Sequence, residues 1–206
     1  MLRRIFIIKS PTAITSPNFP LKGIAGATGR LDVICRSIIA TFKLKPPRIR
    51  RNTIFYGILS GPPQPPISIV VDGSKLSSLP VNEVEVARII KDLLLSYWNK
   101  TVHKYSGWSI YKWDLRRVLD NVRKQWKTML VYLREGGAGI QSVIKGLTKS
   151  DYEVIAFVLG SHVDLDVKDE KLLEDYGAVK VSIGPQSYLS SHVITYVHFI
   201  LDLLSV

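Results

Sequence analysis

The chain has 206 residues, 46% hydrophobic and 22% charged, a globular composition long enough for one large domain or two small ones. Its 28 Lys and Arg against 17 Asp and Glu leave a net charge of +11, which points to a polyanion, nucleic acid being the commonest. Cys35 is the only cysteine, which excludes an intrachain disulfide and a multi-cysteine metal site and fits a cytosolic protein; Ile5 to Ile8 is too short for a secretory signal core.

Arg3 to Lys9 reads as a strand, and the Pro- and Gly-rich stretch Ser10 to Ala27 as a loop. From Gly29, apolar residues at 31, 34, 35, 38, 39 and 42 have helical spacing, and the helix stops before Pro46-Pro47. Asn52 to Leu59 and Ile67 to Val71 are strands on either side of a proline turn, forming a hairpin or lying as neighbours in a larger sheet. Asn82 to Trp98 is an amphipathic helix with Val84, Val86, Ile89, Ile90, Leu93, Leu94 and Trp98 toward the core. Asn99 to Trp113 shows little periodicity, and Asp114 to Lys127 is a short basic helix. Met129 to Leu133 and Glu153 to Leu159 are apolar strands running into glycine-bearing loops. Lys168 to Tyr176 is a helix, Val179 to Ile183 a strand, and Ser191 to Leu204 a helix apolar on nearly all sides. Such a helix is buried, and at this length it is too short to cross a bilayer, so protein covers it, from this chain or from a second copy. The succession argues for an α/β fold with a largely parallel sheet.

Three loops end strands of the second half: Leu133 to Gly139, Gly160 to Asp164, and Ile183 to Tyr188. In an open parallel sheet, ligands bind beyond the carboxyl ends of strands. No G-x-G-x-x-G or P-loop pattern is present, which argues against ordinary nucleotide-phosphate binding. Asp32 lies between Arg30 and Arg36, where a carboxylate can anchor an anion-binding surface or act as a base; an acid in a first helical turn is also favoured by the helix dipole alone. Arg48, Arg50 and Arg51 form a basic cluster suited to phosphate. Between Trp98 and Lys127, bases such as Lys112, Arg116 and Arg117 alternate with Tyr105, Trp108, Tyr111, Trp113 and Trp126, a pattern that suits unstacked RNA or a helix with a basic solvent face. The histidines show no metal-ligand spacing.

Several segments together resemble the archaeal tRNA pseudouridine-54 N1-methyltransferases, members of the SPOUT superfamily. They are Thr15-Ser16, Gly26-Ala27-Thr28-Gly29-Arg30-Leu31-Asp32-Val33-Ile34-Cys35-Arg36, Arg50-Arg51-Asn52-Thr53-Ile54-Phe55-Tyr56, Gly61 with Pro65-Pro66, Gly73-Ser74, and Ile183-Gly184-Pro185 through Ser191-His192 to Leu201-Asp202. The resemblance implies a single SPOUT domain over 1–206, with an N-terminal half (1–97), a basic aromatic segment (98–127) and a cofactor-binding half (128–206). It implies a mostly parallel sheet with helices on both faces and a C-terminal trefoil knot. It implies S-adenosylmethionine held by Leu133, Gly160, Ile183, Gly184, Pro185, Gln186, Ser187, Tyr188 and Val193, and a cytoplasmic homodimer joined through the terminal helix, with no metal and no membrane.

The implied reaction moves a methyl group from the sulfonium to N1 of pseudouridine in the T loop of tRNA. Positioning should supply most of the rate and acid–base help a modest part. Asp32 is the candidate for that help, with Arg30 and Arg36 on the base or its flanking phosphates. Arg48, Arg50, Arg51, Lys112, Arg116 and Arg117 are the candidates for the RNA backbone. The chain departs from the family pattern at Ser161, Gln186 and Val193, where acid, acid and thiol are usual; backbone contacts to the cofactor survive those changes. Two other readings fit the same residues: an N1-pseudouridine methyltransferase acting on ribosomal RNA, and an RNA-binding protein with a degenerate cofactor site.

Overall fold

The computed structural model describes residues 2–147 and 152–203. Strand β1 (Arg3–Ser10) is central, because Ile5, Phe6, Ile7 and Ile8 are all fully buried and both of its faces must be covered. It pairs in parallel with β2 (Thr53–Leu59) and with β6 (Val154–Gly160). Beyond β6 lie β5 (Thr128–Gly139) and then β7 (Val179–Ser182), both parallel. On the other side, β3 (Ile67–Asp72) and β4 (Trp108–Tyr111) extend the sheet antiparallel. The seven-stranded order is β4-β3-β2-β1-β6-β5-β7. The strands across the proline turn do form a hairpin, with Leu59 opposite Ile67.

Alternation along the strands divides the core into two layers. Phe6, Ile8, Phe55 and Phe157 face α2 (Leu31–Phe42), α3 (Glu83–Asn99) and α7 (Ser190–Leu203). Ile5, Ile7, Tyr56 and Val158 face α4 (Leu115–Gln125) and α6 (Val167–Asp175). The ends of α3 and α4 follow from their caps. The Asn82 side chain accepts from the Glu85 amide at 3.0 Å, and the Asp114 side chain accepts from the Arg117 amide at 2.8 Å.

Several expectations need correction. Ser10 to Ala27 holds a short helix, α1 (Ile24–Ala27), and the aperiodic stretch after Asn99 contains β4, whose four residues are too few to show an alternating pattern. Helix α5 (Ile140–Leu147) was not anticipated. On α3 the small Ala87 is fully buried while Val84, in the first turn, is exposed. The last helix is not covered all round within one chain: His192, Thr195, Phe199 and Leu203 form an exposed stripe, with Phe199 55% and Leu203 64% exposed. Its expected end at Leu204 lies outside the described residues.

One flank of α7 is anchored by charge. Arg4 on β1, 1% exposed, donates to Asp202 at 2.7 Å, and its Nη1 lies 3.1 Å from His198 Nδ1. The His198 Nε2 lies 3.0 Å from the Thr41 carbonyl, so that nitrogen carries the proton and Nδ1 accepts from Arg4. Burial, reinforced by the charges of Arg50 and Arg4, pushes the imidazole down to about 3.

Candidate functional site

The carboxyl ends of the parallel strands meet at one edge of the sheet, where ligands of open α/β folds bind. A cavity of about 160 Å³ opens there, lined by β5, β6, β7 and the start of α7. Leu133, Gly160, Ile183, Gly184, Gln186, Ser187, Tyr188 and Val193 all line it. Pro185 instead faces an adjacent groove with Gly136, Gly137 and Gly139. Gly160 is required by a close approach: a Cβ there would sit 2.1 Å from the Val163 carbonyl oxygen.

Hydrogen bonds hold the loops in place. Ser190 Oγ, at the start of α7, donates to the carbonyls of Gly160 (3.2 Å) and Ser161 (2.5 Å), tying the β6 loop to the last helix. Ser187 Oγ donates to Glu135 Oε1 at 2.6 Å. That bond, helped by a backbone hydrogen bond, holds the Glu135 carboxyl below the usual range. Arg134, Glu135, His162, Asp164 and Ser190 line the cavity without having been singled out as sites. Their signal in the sequence was only their place in the three loops or, for Ser190, just after one, which does not tell an inward side chain from an outward one.

The Gly-Arg-Leu-Asp segment stands beside this cavity. Gly29 has φ 59°, and a Cβ on it would lie 1.9 Å from the Thr12 carbonyl oxygen, so the loop after β1 can reach the start of α2 only at glycine. Thr12 Oγ1 donates to the Gly29 carbonyl at 2.7 Å and lies 3.5 Å from Nε2 of His162, on the cavity rim. His162 Nδ1 is 3.0 Å from Ser161 Oγ. Thr12 therefore stands between the cavity rim and the arginine motif.

Arg30, Asp32 and Arg36 are in mutual contact. Arg30 donates Nε to Asp32 Oδ1 at 3.0 Å and Nη2 to Oδ2 at 3.2 Å, a two-point clasp. Arg36 Nη2 donates to Asp32 Oδ2 at 2.7 Å across one helical turn, and its Nη1 to Glu83 Oε2 at 3.3 Å. Arg30 has φ 69°, a left-handed backbone uncommon outside glycine and typical of functional sites. Burial raises the Asp32 carboxyl, but the hydrogen bonds and charges of the two arginines outweigh it and leave it below its usual value. Burial pushes the Cys35 thiol up, so it stays protonated.

The cations singled out for RNA do not share one surface. Arg48 is exposed, but Arg50 clasps Asp202 at 3.0 and 2.5 Å. Arg51 donates to the Gly73 carbonyl at 3.2 Å and to that of Leu76. Lys112 Nζ donates to the carbonyls of Gln64 (2.6 Å) and Pro65 (2.9 Å), bracing the proline turn. Arg116 and Arg117 are exposed on α4, across the sheet from α2. Among the described residues, no cluster of His, Cys, Asp and Glu is arranged to hold a metal, and no helix is long and apolar enough to cross a membrane.

Residues 3–206 match a family model described as "Putative SAM-dependent RNA methyltransferase". The chain is 34% identical over 201 residues to a tRNA (pseudouridine(54)-N(1))-methyltransferase of Methanococcus aeolicus, covering 96% of each chain. A protein of the same name from Thermococcus kodakarensis is 37% identical over 206 residues, covering 97% of this chain and 98% of the other. Among solved structures, Archaeoglobus fulgidus Nep1 bound to S-adenosylhomocysteine superposes with a TM-score of 0.64 at 14% identity, over 100% of this chain and 99% of that one, and so shares the fold. The chain belongs to the family of tRNA (pseudouridine(54)-N(1))-methyltransferases.

Proposed function

We propose that this protein methylates N1 of pseudouridine 54 in tRNA, using S-adenosylmethionine. The observation that carries the reading is the juxtaposition of the cavity at the ends of β5, β6 and β7 with the Arg30–Asp32–Arg36 cluster, bridged by Thr12.

The cavity fits the cofactor's chemistry. Leu133, Leu159, Ile183 and Val193 offer apolar walls for a flat purine, and Glu135 and Asp164 offer carboxylates for hydroxyls and positive charge. Bound there, the cofactor supplies a methyl group on a sulfonium, chemistry that calls for no metal. Gly160 and Gly184 bring backbone to the ligand, so the unusual side chains at Ser161, Gln186 and Val193 leave those contacts intact. Pro185 shapes the loop from its outer side.

Arg30 and Arg36 present the outer faces of their guanidiniums to the target nucleotide and its phosphates. Asp32, held ionised between them, suits orienting those guanidiniums better than removing the N1 proton. Arg48 and Arg117, both exposed, reach the RNA backbone with their guanidiniums, and Arg116 with the part of its guanidinium that does not lean on the Tyr176 ring. Arg50, Arg51 and Lys112 contribute to it only with donors that the fold has not already engaged.

On this reading the chain is one domain whose C-terminal segment is threaded as a trefoil knot. Support comes from Ser190 reaching the Gly160 and Ser161 carbonyls while β7 passes so close to β5 that a Cβ on Gly137 would lie 2.6 Å from the Val181 amide. The exposed stripe of α7 supports a homodimer through that helix. Its place of action is the cytoplasm.

The test is direct. Purified protein with S-adenosylmethionine should methylate tRNA carrying pseudouridine at position 54 and leave the same tRNA with uridine there unmodified. Methylation of both or of neither, or of a ribosomal RNA pseudouridine in preference, overturns the reading.

A further inference from the structure

The far edge of the sheet carries a cluster that the cofactor end does not use. Tyr111 and Trp113 are two residues apart, and their rings stack within 9° of parallel with centroids 4.1 Å apart. Both flanks of the pair are pinned. Ser68 Oγ donates to the Trp113 carbonyl at 2.8 Å, and Lys112 grips the proline turn. The result is a preformed flat surface whose outer ring, Tyr111, is 39% exposed.

The first turn of α4 stands beside it, and Trp113, Arg116 and Arg117 line one open groove. Arg117 forms no ion pair among the described residues. Both acids of the groove are engaged: Asp114 caps α4, and Asp120 accepts from the Tyr176 hydroxyl at 2.5 Å. The sheet order puts β3, β2 and β1 between β4 and β6. At about 4.8 Å per strand the cluster is therefore roughly 20 Å from the cavity's β6 wall, too far to touch the reacting base.

A rigid exposed ring beside the unpaired guanidinium of Arg117, with Arg116 steadied over the Tyr176 ring next to it, is the chemistry of a stacked base with its phosphate held. We propose that Tyr111, Trp113, Arg116 and Arg117 form a second RNA subsite: one unpaired base of the substrate tRNA, other than the methylated one, stacks on Tyr111 while the arginines hold its flanking phosphates. The proposal rests on the methyltransferase reading for the identity of the RNA.

Fluorescence anisotropy with full-length tRNA tests it. Tyr111→Ala should weaken binding about tenfold with an unchanged salt dependence, and Tyr111→Phe should bind as the native protein does. Arg117→Glu should weaken binding and lower the salt slope by about one or more. Calorimetric affinity for S-adenosylmethionine should stay at the native value in all three. In the native protein, ultraviolet irradiation of the complex should crosslink tRNA to the peptide bearing Tyr111 and Trp113, a readout independent of any variant's folding. Unchanged affinity in Tyr111→Ala and Arg117→Glu, or crosslinks that omit this peptide, overturns the proposal. So does a changed oligomeric state of Tyr111→Ala in place of changed RNA affinity, which assigns the edge to another copy of the chain. A native protein that binds tRNA here yet transfers no methyl group leaves the subsite standing and removes the methyltransferase reading.

Discussion

The molecule contains two aspartates each bracketed by two arginines, and the two sites are turned inside out relative to one another. In Arg30–Asp32–Arg36 the aspartate side chain is 2% exposed and the arginine side chains 43% and 37%. In Arg4–Asp202–Arg50 the aspartate side chain is 43% exposed, and the arginine side chains only 1% and 14%. The first arrangement buries the negative charge and leaves two oriented, part-exposed cations at the surface. The second spends its cations on the fold, clamping α7 to β1 and to the segment before β2. Composition is the same; which partner faces water decides whether the charges bind or brace.

The bracing site should give the largest effect on stability. Asp202→Ala takes the carboxylate away from buried Arg4 and should cost about 3 kcal/mol in urea denaturation, whereas Arg50→Ala leaves Arg4–Asp202 in place and should cost about 1 kcal/mol or less. Equal losses in the two variants would erase the distinction between a buried and a peripheral clamp. The Arg30–Asp32–Arg36 cluster should respond in rate instead. Asp32→Ala releases both arginines and should lower kcat/KM about 100-fold through misplacement, with S-adenosylmethionine affinity nearly intact by calorimetry. Asp32→Asn, which keeps an acceptor, should recover part of that rate; an equally inactive Asn variant would argue for Asp32 as the base.

The bracing site should also respond to pH. An unfolded His198 binds a proton near 6.5, but the folded one refuses it until about 3. The unfolded state therefore holds more protons in that window, and stability falls as pH drops from about 6.5 toward about 3, by up to about 1.4 kcal/mol per unit. Denaturation midpoints between pH 6 and 4.5 should track this slope, and His198→Gln should flatten it; an unchanged slope in the variant would place the titration elsewhere.

Local features were legible because they repeat within a few residues. The spacing from Leu31 to Phe42 announced α2, and apolar runs announced β1, β2, β3, β6, β7 and the first half of β5, whose second half resumes pairing with β7 at Ala138 after a register break in the stretch expected as a loop. Strand β4 was not legible, since four residues carry too little pattern and its pairing comes from β3. The apolar character of α7 reads as needing cover on all sides, but the chain buries only one side of it, and which side that is depends on where the helix docks.

The same division runs through the candidate site. The sequence by itself determined that Asp32 and Arg36 meet, because residues four apart share one helix face, and that glycine loops follow apolar strands. Only the tertiary structure decided that three such loops line one cavity, that Thr12 joins it to Gly29, and that Arg50 serves Asp202, 152 residues away. Those contacts follow from strand order and helix docking. A hydrophobic period states which face of an element is buried, but not against which neighbour.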